Sequence, residues 1–265
     1  MDEIIYDHLS DDVYDRNEFN SVESTISMIM FSNGDHHSPE QDAVAFVTSL
    51  ANTELRNLLN VAGQRASEEG RRKVELCDVL WCLRKKTVLL SRFFRYLKEK
   101  EEIFSFDFGS LAGVDQIKLA SFKDALSLLL PDCVHLDLVL KGIDEPVEDV
   151  EKNQRMERIV EYIRTLDSET YIEFSRARRT CLYKLPNSVL MEWLGQTDPL
   201  KMEIIIVFSF LASEVVAEMV ENAFKCKVEE EAVSSKSIGP QIGVVFYKMA
   251  LRRHRGHLET GYLLQ

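Results

Sequence analysis

The chain has 265 residues, of which 45% are hydrophobic and 29% are charged, a composition typical of a globular protein of one or two domains. Its 11 glycines and 6 prolines are too few for a collagen-like, low-complexity or turn-dense β protein. A net charge of −12 argues against a chain that binds DNA or an anionic membrane over its whole surface, but it leaves room for a local basic patch.

Familiar sites of chemistry are missing from the sequence. The five cysteines are odd in number, widely spaced and without a CxxC pair, so neither a disulfide framework nor a zinc site is predicted. The acidic N-terminus does not resemble a signal peptide, and the most apolar run, Ile204–Leu211, is too short to span a bilayer. Without a phosphate-binding loop or a nucleophile motif, the sequence predicts an intracellular protein that is not an enzyme and holds no metal or cofactor.

The first third of the chain follows a short–long–short helical pattern. Residues 1–23 are predicted to form an acidic tail, since the first 24 residues carry eight acids and one base. A helical unit is then predicted over 24–104, with apolar residues at steps of three and four in its longest segment. Its predicted helices are Thr25–Phe31, Gln41–Glu69, Glu75–Leu83 and an additional one at Thr87–Glu102.

Residues 105–170 are predicted to be an ordered helical connector, because they are not rich in glycine and serine. Helices are expected at Gln116–Leu130, which Pro131 ends, and at Lys152–Leu166, with an acidic stretch at Asp144–Glu151 between them.

The pattern then repeats over residues 171–257, before a short tail at 258–265. The predicted elements are Asn187–Leu194, a long helix at Leu200–Lys227, a polar loop at Glu229–Gly239 and a third helix from Pro240 to about Arg252. Because a long amphipathic helix with two short neighbours cannot bury both of its faces alone, the two units are expected to pair into one core.

Local motifs strengthen this interpretation. The stretch at residues 70–85, GRRKVELCDVLWCLRK, resembles the histone segment in which a basic loop leads into a helix that contains Asp-Val. The predicted fold is therefore all-α, an intramolecular pair of histone folds with a helical connector. The resemblance implies that Val74 forms a short strand with the partner fold's first loop and that Arg71 pairs with Asp78.

Two such units in this order resemble the SAGA transcription-coactivator subunit of the suppressor-of-Ty "three" type. The resemblance is carried by ISMIMFSNGDHHSPEQDAV in the first half and, in the second, by EFSRARRTCLYKLPNSVLMEWL, VFSFLASEVVAEMVENAFK and GPQIGVVFYKM. It implies a nuclear protein without catalytic activity that binds TATA-binding protein and other coactivator subunits, including histone-fold proteins. The residues expected to pair the two folds are Val47, Leu55, Leu58, Val74, Phe208, Leu211 and Val215.

The charge pattern suggests where partners bind. Glu214, Glu218 and Glu221 recur at steps of four and three, so they share one helix face and are candidates for contact with TATA-binding protein, which is basic. An ordinary solvated face is the alternative for these acids. The basic residues Arg72, Lys73, Arg176, Arg178 and Arg179 are candidates for contact with DNA or with acidic subunits, and a histone-like pair that binds DNA without sequence specificity is the alternative function.

Overall fold

The first part of the chain forms four helices. The computed structural model describes residues 21–107, 122–125, 149–234 and 239–255, and no β-strand occurs among them. The four helices are α1 (Val22–Ser32), α2 (Gln41–Glu68), α3 (Leu76–Cys82) and α4 (Thr87–Asp107). The Ser21 hydroxyl accepts a hydrogen bond from the Ser24 N–H at 3.1 Å and so caps α1, while Gly70 takes a left-handed φ of 74° just after α2.

Five further helices are described in the second part. They are α5 (Val150–Arg164), α6 (Ser168–Ala177), α7 (Asn187–Leu194), α8 (Met202–Ser234) and α9 (Val244–Arg255). Asp149 and Asp167 cap α5 and α6, because each carboxylate accepts the N–H of the residue three positions ahead. Gly195 ends α7 with a φ of 66°.

The two long helices α2 and α8 lie against each other in the main core. Most residues of α8 between Ile204 and Lys227 are buried, because this helix is covered on several sides, by α1, α2, α3 and α9. Helix α2 in turn contacts α1, α3, α7 and α9. Each long helix is therefore buried by its own short neighbours and by elements from the other part of the chain.

The loops at the ends of the two units also meet. The Asp35 carboxylate in the α1–α2 loop accepts hydrogen bonds from the Tyr247 hydroxyl at 2.7 Å and the Ile242 N–H at 3.1 Å. Nearby, the Gln241 side chain donates to the Ser38 carbonyl at 2.6 Å. The loop that follows α8 is thus fixed to the loop that precedes α2.

A smaller apolar cluster joins the connector to the first helix. Phe31 of α1, Ile159 of α5 and Phe174 of α6 are buried together, and the rings of Phe31 and Phe174 meet edge to face at 5.4 Å. Helices α5 and α6 therefore form a second layer over α1.

Several predicted elements are corrected by the structure. The polar loop expected at 229–239 is wrong over its first part, because α8 continues to Ser234 as an exposed acidic helix. The last helix begins at Val244 rather than at Pro240, and α6 was not predicted as a helix. Of the helix expected at 116–130, only residues 122–125 are described, and these are helical. The tails at 1–23 and 258–265 lie outside the described residues except for residues 21–23.

Candidate functional site

The acids of α8 that were singled out from the sequence face the chain's own arginines. The Glu214 carboxylate lies 2.9 Å from Arg92 Nη1 of α4 and 3.7 Å from Arg155 of α5. The Glu221 carboxylate lies 2.8 Å from Arg158 of α5. The Glu214 and Glu221 side chains are only 18% and 14% exposed, because α4 and α5 cover most of the acidic face of α8.

Arg92 connects three elements. Its Nε and Nη2 donate to both oxygens of Asp149 at 2.5 and 2.7 Å, while Nη1 donates to Glu214. These hydrogen bonds raise the pKa of Arg92 against the opposing effect of burial. Burial alone would raise the pKa of Asp149, but the bonds from Arg92 and from the Lys152 N–H lower it overall. The start of α5 is therefore fixed ionically to α4 and α8.

Glu218 is the acid of this face without a close cation. It lies within 4 Å of no basic side chain among the described residues, unlike its two neighbours on the face. Desolvation, followed by repulsion from Glu151 and Glu214, raises the pKa of Glu218 to about 7. The face therefore contains one carboxyl that titrates near neutral pH.

The ion pair expected at the other end of the molecule is present. The Arg71 guanidinium donates from both terminal nitrogens to the two oxygens of Asp78 at 2.6 Å each. The Asp78 side chain is fully buried and also accepts the Glu75 N–H at 2.9 Å, which caps α3. Burial would raise the pKa of Asp78, but the Arg71 and Glu75 hydrogen bonds lower it overall.

Val74 does not form the predicted strand. It lies in irregular backbone before α3, where it is partly buried against the main core. The N–H of the next residue, Glu75, is bonded to Asp78, so it is not free for a strand ladder. The second unit approaches this loop through the side chain of Lys201, whose amine lies 4.0 Å from Glu75.

The remaining pairing candidates lie together in the main core. All six are buried in one cluster that contains residues from α2 and from α8: Val47, Leu55, Leu58, Phe208, Leu211 and Val215.

The basic candidates fall on two separate elements. Arg72 and Lys73 are exposed in the α2–α3 loop, whereas Arg176, Arg178 and Arg179 are exposed at the end of α6. Arg178 and Arg179 line a cleft beside α4, α5 and α8. The two groups of basic residues therefore lie on different parts of the molecule, and only the second group contributes to the cleft.

Sequence reasoning missed the arginines that cover the acidic face. Arg155 and Arg158 are three residues apart on α5, a spacing that matches the steps between the acids on α8. This complementary spacing was a usable signal, but the paired residues are 59 to 122 positions apart in sequence. No periodicity within one helix indicates which distant helix will face it.

Two other kinds of site are absent from the described residues. No group of three or more His, Cys, Asp or Glu side chains there has a metal-binding arrangement. Within the same part of the chain, no helix combines the length and the apolar character needed to cross a membrane.

Comparison with protein families relates the α1–α4 region to the histone-fold transcription factors. Residues 20–106 match the family described as the 18 kDa subunit of transcription initiation factor IID, a histone-fold family. The match covers about a third of the chain. No curated protein matches the sequence. These findings support a role in transcription initiation, in a class that is generally non-enzymatic and whose members pair with other histone-fold subunits.

Proposed function

We propose that the chain is a subunit of a SAGA-type transcription coactivator complex in the nucleus, where it binds TATA-binding protein and helps deliver it to RNA polymerase II promoters. The family match of residues 20–106 is the observation that carries this proposal, because it assigns the first helical unit to transcription initiation. The resemblance of the second unit to the same coactivator subunit supports the narrower assignment.

The two units are proposed to be two histone folds paired within one chain, α1–α3 with α7–α9. The contact of α2 with α8 supports this pairing, as do the reciprocal loop contacts at its two ends. At one end Asp35 bonds Tyr247, and at the other Lys201 approaches Glu75. Covalent fusion would replace association of two chains by an effective concentration on the order of millimolar.

The proposed surface for TATA-binding protein is the acidic side of α8. Glu214, Glu218 and Glu221 form its covered part, and Glu229 extends it where α8 is exposed, with its carboxylate 2.6 Å from Arg253 of α9. A basic partner is expected to compete with the chain's own arginines, which lie on α4, α5 and α9, for these acids.

A charge-swap experiment tests this surface with opposite charges kept at the two paired positions. The double variant Arg158→Glu, Glu221→Lys exchanges the members of an ion pair that lie 2.8 Å apart in the wild-type chain and reverses the charge on α8. Because Arg158 also donates to the Asn33 carbonyl, circular dichroism of the variant checks that the fold is retained. The control is Arg164→Glu, Glu161→Lys, an exposed ion pair on α5 that is away from α8. Capture of TATA-binding protein by the purified full chain is measured, and the first swap is expected to weaken it at least about fivefold while the control does not.

Two results would count against parts of the proposal. Equal capture by both swaps would remove Glu221 from the binding surface and leave the rest of the function standing. A wild-type chain that captures no TATA-binding protein would overturn the function, and mass spectrometry of proteins that co-purify from nuclei would then identify the true partners.

DNA binding is the second candidate, favoured by the exposed Arg72 and Lys73. These two side chains lie within 4 Å of no acid among the described residues, whereas Arg71 is committed to Asp78. If they contact phosphates, the double variant Arg72→Gln, Lys73→Gln lowers DNA affinity and flattens its salt dependence by about two units of slope. A chain that shifts no DNA at low salt excludes this function.

A further inference from the structure

A basic cleft lies beside the acidic face. It has a volume of about 240 Å³ and opens between α4, α5 and the turn that follows α6, with α8 beneath it. The cleft shares Glu214 with the proposed surface for TATA-binding protein, but the basic residues of its rim have no part in that contact.

The charge of this cleft is opposite to that of the chain. Two acids line it, Glu99 and Glu214, against six basic residues: Arg92, Lys100, Lys152, Arg155, Arg178 and Arg179. The whole chain, by contrast, has a net charge of −12. A local excess of cations in an acidic protein attracts an anionic group and repels a basic one such as TATA-binding protein.

The inner and outer basic residues differ in what they contact. Arg92 and Arg155, at the inside, are balanced by Asp149 and Glu214. Lys152 and Arg178, at the rim, lie within 4 Å of no acidic side chain in the described part of the chain. The rim therefore offers positive charge that the protein's own described acids do not neutralise.

The floor of the cleft is apolar. Ile29, Met156, Ile159, Phe210 and Ala217 contribute to its lining, and most of these side chains are buried. An apolar floor under a charged rim fits a ligand that carries both an apolar side chain and carboxylates.

We propose that this cleft is a docking site for an acidic segment of a partner protein, with an apolar side chain on the floor and carboxylates against Lys152 and Arg178. A small acidic ion would leave the floor uncovered, and duplex DNA presents phosphates without a side chain to fill it. The observations therefore favour a peptide over either of these ligands.

A labelled peptide of four Glu-Glu-Leu repeats serves as the probe, and its binding to the full chain is followed by fluorescence anisotropy at low ionic strength. The double variant Lys152→Glu, Arg178→Glu is expected to weaken binding about tenfold. The control Arg72→Glu, Lys73→Glu makes the same change in net charge at exposed residues outside the cleft, and it is expected to leave binding within about twofold. A peptide of Gln-Gln-Leu repeats is expected not to bind.

Several outcomes would overturn the proposal. Equal weakening by both double variants would mean that the peptide senses only net charge. Unchanged binding in the cleft variant would place the peptide elsewhere. A duplex DNA that binds the wild type more tightly than the peptide, and loses affinity in the cleft variant, would assign the cleft to nucleic acid. Circular dichroism of each variant checks that the substitutions leave the fold intact.

Discussion

At the scale of single residues, Asp35 is a buried carboxylate that needs several hydrogen-bond donors. It is almost completely buried, and it accepts hydrogen bonds from the Tyr247 hydroxyl, the Ile242 N–H and the His36 N–H. Burial raises the pKa of Asp35 even though these bonds, with Lys227, act to lower it. A buried carboxyl that loses one of its donors is costly, because its desolvation is then no longer offset by that hydrogen bond.

Tyr247→Phe tests this dependence. The variant removes the hydroxyl that bonds Asp35 and is expected to lower the free energy of unfolding by about 1–3 kcal/mol, measured by urea denaturation. Tyr171→Phe, on an exposed ring, is the matched control, with an expected change below about 0.5 kcal/mol. Equal effects of the two variants would contradict the role given to the Asp35–Tyr247 bond.

Glu218 predicts a pH dependence of stability. Since its pKa in the folded chain is raised to about 7 from an ordinary value of 4.5, the folded state holds a proton that the unfolded state has lost. The free energy of unfolding is therefore expected to fall between about pH 5 and pH 8, by roughly 1–3 kcal/mol from this group. Glu218→Gln is expected to remove that part of the fall, and urea titrations at both pH values measure it. Parallel pH profiles for the variant and the wild type would contradict the assignment.

At the scale of elements, Arg158 makes several of the contacts that hold α5 on the molecule. Arg158 donates to Glu221 at 2.9 Å and to the Asn33 carbonyl at 2.8 Å, and its guanidinium lies 4.5 Å from the centre of the Phe224 ring. It passes so close to Gly34 that a Cβ there would lie 2.3 Å from Nη1. The φ of 94° favours a glycine at this position, and an added Cβ would push the end of the Arg158 side chain away.

Gly34→Ala is therefore expected to displace the Arg158 guanidinium from its contacts and so to loosen α5. The matched control is Gly70→Ala, which has a similar φ of 74° but no atom within 4 Å of the added Cβ. Both variants pay the conformational cost of about 1 kcal/mol, and only Gly34→Ala is expected to speed amide hydrogen exchange within α5. Equal exchange of α5 in the two variants would show that Arg158 adapts without loss of its contacts.

The elements also show what the sequence predicts and what it does not. Periodicity predicted the end of α2 within one residue, and it predicted both ends of α7 correctly. Each of these helices has an apolar and a polar face. The end of α8 was missed because residues 229–234 are almost entirely exposed and have no apolar stripe. Helix α6 was missed because only Phe174 and Ala177 of its ten residues are buried. The arginines that cover Glu214 and Glu221 lie on other helices, so a local sequence pattern does not reveal these contacts.

At the scale of the whole molecule, the two units share one core, and we expect that core to couple their unfolding. Helix α8 contacts α1, α2 and α3 of the first unit as well as its own neighbour α9. The chain has two tryptophans, Trp81 in α3 and Trp193 in α7, so each unit carries its own fluorescent probe.

We expect both probes to report a single unfolding transition. Trp81→Phe isolates the signal of Trp193, and Trp193→Phe isolates that of Trp81. Leu80→Ala, in the buried face of α3, is expected to lower the free energy of unfolding by about 2–5 kcal/mol with either probe. If the Trp193 transition keeps its midpoint when Leu80 is shortened, the units unfold independently and the shared core does not couple them.

The order of the helices along the chain has a consequence for synthesis on the ribosome. About 170 residues separate the end of α2 from the end of α8, the helix that covers it. At typical elongation rates, the face of α2 that packs on α8 therefore stays exposed for roughly 10–30 seconds before α8 has been synthesised. During that interval, chaperones and unrelated strands or helices compete to bind this exposed apolar surface. We therefore expect the yield of folded protein to depend on the speed of translation across the connector.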